Sequence, residues 1–389
     1  MKKITATTTR ARLRIGPIVI ATLAAVGLLP APGSAATPAW RINLTPNPSS
    51  TAPAALYGID CPTTTSCRAV GFSGTRGLTL RWNGADWATT ATPAPAAALY
   101  NYLGAVSCSA TTNCRAVGSA FVNNHDQATV ARWNGSGWAE AAVPDPGSAT
   151  DTHLADIACP TSSTCVAVGS ALVFGRQRTL AALWDGSSWT VTPTTAPDGA
   201  TFSALHGVSC ASATQCVAVG VARVGGIDRP MALRWGGTSW TRTPVPNPYA
   251  STDGALFSVS CGGASSCRAV GFRYVNGREL PLAVRWNGND WAVTATPIPT
   301  GTTAALILGI DCPTTANCRA VGHSRVNGQW RPVTMRWNGG DWALTPTPTP
   351  AGATITFLYD IACATSSNCR AVGTAVINGR ARTLSMRWA

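Results

Sequence analysis

Short apolar runs closed by tryptophan recur along this chain at a near-constant interval, and no stretch keeps a 3.6-residue period beyond a turn or two. The run at 280–286, Leu-Pro-Leu-Ala-Val-Arg-Trp, is short and apolar and stops at Asn287-Gly288, which predicts a strand ending in a hairpin. A second turn is predicted at Asn276-Gly277 and a third between Cys261 and Cys267. Three reversals divide this stretch into four strands: one before the cysteines, one at Cys-Arg-Ala-Val-Gly, one ending in Arg-Trp and one starting at Trp291.

The plan occurs seven times. Each copy opens with two cysteines six positions apart: Cys61/Cys67, Cys108/Cys114, Cys159/Cys165, Cys210/Cys216, Cys261/Cys267, Cys312/Cys318 and Cys363/Cys369. First cysteines are 47 residues apart once and 51 apart in every later interval. A strict period of about 50 residues with four antiparallel strands per copy predicts an all-β fold, a seven-bladed β-propeller. The ends complement each other. Trp40 to Pro48 matches the fourth-strand stretch Trp291 to Pro299 with no blade before it, and the seventh copy stops at Trp388-Ala389 without a fourth strand. A ring in which the N-terminal strand completes the last blade removes an unpaired edge. Fourteen of the 15 Trp flank the turns between third and fourth strands and are assigned to packing between blades rather than to ligand stacking; the exception is Trp330.

Residues 1–36 read as a signal peptide: Lys2, Lys3, Arg10, Arg12 and Arg14, an apolar core at 15–29, then small residues at 33–36. The propeller is assigned to 37–389, and the mature protein is expected to be secreted, monomeric and without a membrane span. On an exported chain, fourteen cysteines in seven even pairs predict seven disulfides, each within one copy. The spacing lacks the close ligand pairs and His partners of a zinc site, and no metal or other cofactor is expected. The 389-residue chain carries +13; without the five basic residues of 1–36 it carries +8, all of its cations arginine. Arginines recur in register after the second cysteine (Arg68, Arg115, Arg268, Arg319, Arg370) and before Trp (Arg81, Arg132, Arg234, Arg285, Arg336, Arg387), which favours a structural role over nucleic-acid binding. An anionic cell-wall polymer or glycan is an equal candidate for that charge.

No nucleophile elbow, zincin, P-loop or dinucleotide motif is present, so no catalytic residue is assigned. Two features remain. Asp60 and Asp311 stand one residue before the first cysteine, and Asp156 and Asp360 three before it, on the strand expected to face the central channel. They read either as cation or acid/base carboxylates or as acceptors for backbone at the ring's inner ends, the second being favoured. The loop between second and third strands varies most between copies, and a variable loop on a fixed scaffold is where binding residues are expected. Its candidates are His125 and Asp126, Arg176 and Arg178, Asp228 and Arg229, Arg278 and Glu279, Trp330 and Arg331, and Arg380 and Arg382. In copy one the hairpin is clipped: Cys61 to Arg81 spans 20 residues where Cys108 to Arg132 spans 24. This predicts a lowered rim, with Trp330 and the blade-seven arginines nearby.

Gly84-x-x-Trp87 and its counterparts resemble the end of the sialidase Asp-box, but Asn or Asp adjoins the Gly and the upstream Ser is absent. Kelch repeats are similar in length, with a Gly-Gly doublet where this chain has Ala-Val-Gly. The chain is most similar to exported bacterial propeller-repeat proteins carrying Cys-x5-Cys-x-Ala-Val-Gly and Arg-Trp-Asn-Gly-x-x-Trp, a group without an assigned activity. That resemblance implies fold and transfers no catalytic residue. The resulting expectation is a non-catalytic binding propeller for a glycan, a cell-wall polymer or an extracellular protein. A glycan-cleaving hydrolase or lyase using the loop face and a structural envelope protein are the alternatives.

Overall fold

A computed structural model describes residues 38–143, 146–147, 149–246 and 252–389; the expected signal peptide lies outside the described residues. Seven four-stranded antiparallel sheets follow one another along the chain, at 54–90, 100–142, 149–192, 200–243, 253–294, 302–345 and 353–388 with 40–43. We number them as blades one to seven. In blade one the strands are Ala54–Thr63, Ser66–Ser73, Arg76–Trp82 and Trp87–Thr90, from the channel outwards. Each innermost strand packs on the next, the last on the first, so the ring is closed.

The seam is the one read from the ends of the sequence. Trp40–Asn43 is the outer strand of blade seven, with Trp40 opposite Trp388 and Asn43 opposite Ser385. Beyond it, Thr383 is tied to Asn47 and Thr45 by side-chain hydrogen bonds of 3.0 Å.

All seven disulfides form within their own blades, and no described cysteine is free. They join Cys61 to Cys67, Cys108 to Cys114, Cys159 to Cys165 and Cys210 to Cys216 in blades one to four. Cys261 to Cys267, Cys312 to Cys318 and Cys363 to Cys369 follow in blades five to seven. The two members of each pair differ in setting. The second cysteine, Cys67, Cys114, Cys165, Cys216, Cys267, Cys318 or Cys369, lies on the second strand and is buried in the apolar core. Buried and paired in this way, these seven are part of the frame. The first cysteine lies on the innermost strand, and Cys159 and Cys210 border the central channel.

The Ala-Val-Gly triplet has a steric cause. In every blade the innermost strand carries a bulge, between Leu56 and Gly58 in blade one and between Leu256 and Ser258 in blade five. The bulge pushes a carbonyl toward the second strand. A Cβ on Gly71 would lie 2.0 Å from the Ala55 oxygen, and one on Gly271 2.0 Å from the Ala255 oxygen, so only glycine fits.

The hairpins between second and third strands are two-residue turns, with Asn276 at φ 50° and Gly277 at φ 77°. The Asn-Gly after the third strand differs from the tight hairpin expected. Trp286 pairs with Trp291 across a four-residue loop. There the Asn287 Oδ1 accepts the N–H groups of Asn289 at 2.9 Å and Asp290 at 2.8 Å. Asn is selected there as a side-chain acceptor, and only Gly288, at φ 104°, adopts the left-handed region.

Tryptophan pairs meet across that loop, Trp286 and Trp291 at 5.5 Å between ring centroids, and pack against the preceding blade's Val217 and Val219. The arginine after the second cysteine is buried and lies over a tryptophan of the following blade. The distances are 4.0 Å for Arg68 on Trp133, 4.4 Å for Arg115 on Trp184, 3.7 Å for Arg268 on Trp337, 3.7 Å for Arg319 on Trp388 and 3.6 Å for Arg370 on Trp82. Blades three and four carry Val166 and Val217 instead. Both recurring residue types therefore join blades.

Candidate functional site

The innermost strands place the four aspartates in one channel, around a cavity of about 250 Å³. Each carboxylate accepts a backbone N–H from the following blade. Asp60 takes that of Cys108 at 2.6 Å, Asp156 that of Val208 at 2.7 Å, Asp311 that of Cys363 at 2.7 Å, and Asp360 that of Ile59 at 2.9 Å, across the seam. Serines fill the same role at the other junctions: Ser107 to Cys159 and Ser209 to Cys261, both at 3.0 Å, and Ser258 to Ile310 at 3.3 Å with Ser260 to Cys312 at 3.0 Å. The bulge lets either of two positions reach the next blade. Where the position before the cysteine is alanine, as at Ala158 and Ala362, the aspartate two residues earlier takes over. All seven junctions are bridged, so the role as backbone acceptor is observed.

Burial pushes these carboxyls up, Asp60 and Asp156 to about 7, Asp311 to about 6 and Asp360 to about 8, with the backbone N–H groups opposing the shift. Among the described residues no three or more His, Cys, Asp or Glu side chains are grouped so that they could hold a metal ion.

On the opposite side of the channel from the disulfides lies the hairpin face. Most of the arginines named from sequence there are anchored. Arg178 donates to the Ala200 carbonyl at 2.9 Å, Arg331 to Ala353 at 3.5 Å, and Arg278 to Thr302. Arg380 and Arg382 donate to the carbonyls of Ser50 and Ser49 at 2.9 and 3.0 Å, on the segment leading from the seam strand into blade one. Asp228 pairs with Arg223 at 2.7 Å. Arg176, Glu279 and His125 are at or near exposed hairpin tips, and Arg229 is half-buried. Asp126 accepts the Tyr100 hydroxyl at 3.2 Å.

Trp330 is half-buried, edge-on to His323 with centroids 5.1 Å apart and to Phe357 at 5.7 Å. It begins a belt of rings. Phe357 approaches Tyr359 at 6.2 Å, Tyr359 meets Tyr57 at 5.1 Å, and Tyr57 meets Phe72 at 5.6 Å and Tyr102 at 6.5 Å. The Tyr102 hydroxyl lies 3.0 Å from His153 Nδ1.

The clipped hairpin of blade one opens this belt to solvent, on the side of blade two. There a cavity of about 540 Å³ is lined by Tyr57, Phe72, Gly74, Thr75, Tyr100, Asn101 and Tyr102. Trp330, Arg380 and Arg382 do not line it. Tyr100 is 38 % exposed and stacks on Phe121 at 5.1 Å, which fixes its ring at the rim. Asn101 is buried and committed to the frame, accepting the Gly77 N–H at 3.1 Å. The shortened hairpin was visible in the sequence. Its tyrosines were missed, although four of the chain's six, Tyr57, Tyr100, Tyr102 and Tyr359, sit on the innermost strands of three consecutive blades.

The architecture places the chain in the class of seven-bladed β-propellers. Solved structures that share the fold include the following two. That of YCF48 bound to D1 peptide is 11% identical, covering 90% of this chain and 96% of that one with a TM-score of 0.54. The WD40 β-propeller domain of Doa1 is 9% identical, covering 86% and 93% with a TM-score of 0.55. No family model and no curated protein matches the sequence.

Proposed function

We propose that this protein is a secreted, non-catalytic binding propeller that takes a glycan in the aromatic notch between blades one and two. The observation that carries the reading is the notch itself: Tyr57, Phe72, Tyr100 and Tyr102 line one open cavity of about 540 Å³. A pyranose presents an apolar C–H face and a rim of hydroxyls. Rings held by packing match the first, and the hydroxyls of tyrosine and Thr75 match the second. Asp126 adjoins the notch through its hydrogen bond from Tyr100, and His125 and Arg176 start the third strands of blades two and three. Seven disulfides suit an oxidising compartment, in keeping with an export segment at 1–36. The YCF48 propeller was solved with a peptide, which makes a peptide the competing ligand.

A glycan and cell-wall array with the mature protein, repeated with Tyr100→Ala, tests this. Saturable binding without turnover, weakened at least tenfold by the substitution, is expected. Binding unchanged in the variant, or restricted to peptides, overturns the assignment. Cleavage of a bound glycan would move the protein to the hydrolases or lyases.

A further inference from the structure

At the rim opposite the notch the fold keeps an arrangement that its own packing does not require. Each buried arginine that stacks on the next blade's tryptophan stands directly opposite a second arginine on the third strand. Arg370 faces Arg387 in blade seven, and the same pairing is made by Arg268 with Arg285, Arg319 with Arg336, Arg68 with Arg81 and Arg115 with Arg132. Like charges at opposed positions of a ladder repel. The buried member is accounted for by its tryptophan. The outer one is exposed, or half-buried in the case of Arg387, and makes no side-chain hydrogen bond or ion pair among the described residues.

The pairs are not spread evenly. Blade three has Val166 and Leu183, and blade four has Val217 beside Arg234, so neither carries a pair. The five blades that do are consecutive through the seam: five, six, seven, one, two. Blade seven is the middle of this arc, and there the seam strand adds Arg41 opposite Arg387, making three arginines in a row. In every other blade the position of Arg41 is alanine or threonine. Among the described residues, Asp86, Asp290, Asp341 and Glu140 lie toward the same rim of the arc, and none of them pairs with an arginine of the arc. Buried guanidinium nitrogens of Arg68, Arg268, Arg319 and Arg370 also lack a partner among the described residues.

We propose that this arc binds a phosphate polymer, a flexible chain of repeated phosphate monoanions such as a polyol-phosphate wall polymer or polyphosphate. A single exposed arginine holds an anion weakly in water, but five matched positions on one contiguous rim act together. Guanidinium supplies the fork that phosphate oxygens accept. A nucleic acid fits less well. Among the described residues the exposed large aromatics, Tyr100, Phe174 and Tyr274, all lie on the hairpin face, and the arc presents bases with no exposed ring there.

The test is titration of the mature protein with long-chain inorganic polyphosphate and with poly(glycerol phosphate) over a range of salt. Both are expected to bind saturably, with log K falling linearly in log salt. The triple variant Arg41→Gln/Arg336→Gln/Arg387→Gln should bind at least tenfold more weakly and lose roughly 2 from the salt slope, about 0.7 per arginine. Arg234→Gln, on the same rim outside the arc, should leave both readings in place. Absence of saturable binding, an unchanged triple variant, or an Arg234→Gln effect as large as that of an arc arginine would overturn the proposal. So would tighter binding of a single-stranded oligonucleotide of equal charge. Binding of polyphosphate alone or of poly(glycerol phosphate) alone supports the arc and identifies the source of the phosphate.

Discussion

Replacing Asp360 with asparagine should change the protein's stability in opposite directions at the two ends of the pH range. Asp360 joins blade seven to blade one through the Ile59 N–H at 2.9 Å, and burial raises its carboxyl to about 8. In the unfolded chain the same carboxyl ionises at its ordinary 3.8. A folded pKa above the unfolded one means that the unfolded state loses its proton first. The associated loss of stability is absent below 3.8, grows as pH rises, and is complete above about 8. At about 1.4 kcal/mol per pH unit this amounts to roughly 4 kcal/mol at pH 7. The asparagine side chain of the variant has no proton to lose. It retains one carbonyl oxygen for the Ile59 N–H but cannot also accept that of Ile361, a loss of about 1 kcal/mol. The Asp360→Asn protein should therefore be less stable than the parent by about 1 kcal/mol near pH 3.5 and more stable by about 3 kcal/mol at pH 7. Urea unfolding at fixed pH values with disulfides intact measures this difference. The parent's own profile is not sufficient, because half-buried His153, His206 and His323 have pKa values lowered by desolvation and act oppositely, adding stability as pH rises toward 6.5. A difference between variant and parent that stays flat from pH 3.5 to 8 would refute the reasoning.

Other outcomes follow from single contacts. Gly271→Ala, whose Cβ would meet the Ala255 oxygen at 2.0 Å, should destabilise by more than about 3 kcal/mol or prevent folding, whereas Gly263→Ala, with nothing within 4 Å, should be nearly neutral in the same thermal scan. Deleting 40–48 removes the outer strand of blade seven and should give aggregates or strand-swapped oligomers by size-exclusion chromatography; a soluble monomer with the parent's melting temperature contradicts the seam's role. Trp330→Ala removes edge contacts to His323 and Phe357 and should cost about 2 kcal/mol of stability; if it instead weakens glycan binding tenfold with melting unchanged, the site extends along the belt to blade six.

What the sequence disclosed is what recurs seven times, namely strand count, disulfide pairing and tryptophan register, together with the seam, where that recurrence is cut. What it hid depends on geometry that a linear pattern does not carry. The bulge in each innermost strand breaks the alternation of apolar and polar residues without leaving a signature. That is why the recurrence of Gly71 and its counterparts carried no reason in the sequence, although only glycine can face the Ala55 carbonyl. The same bulge lets Asp60 and Asp156, at different offsets from their cysteines, do one job. The notch was half legible. Four missing residues marked the place, but its walls come from two blades, and Tyr100 and Tyr102 join Tyr57 only when the innermost strands are side by side.

Both proposed sites lie where the chain departs from its own repeat, and the seam relates them. A ring with seven equivalent blades offers any ligand seven equal positions. Selectivity between them requires that some blades differ. On the hairpin face the difference is a deletion that exposes rings buried in a belt elsewhere. On the opposite rim it is the loss of arginine pairs from blades three and four, together with the addition of Arg41 in blade seven. The segment entering the ring supplies Arg41 at the centre of the arc, and its Ser49 and Ser50 carbonyls hold Arg380 and Arg382 before the chain reaches Tyr57 of the notch. The segment that closes the propeller thus ties blade seven to the entry of blade one on the hairpin face. Substitutions at Asn47, which accepts the Thr383 N–H at 3.0 Å, would loosen that strand without unpairing Trp40 from Trp388. If the two sites are held by the seam, Asn47→Ala should weaken glycan and polyphosphate binding together, while a change such as Tyr100→Ala affects the glycan alone.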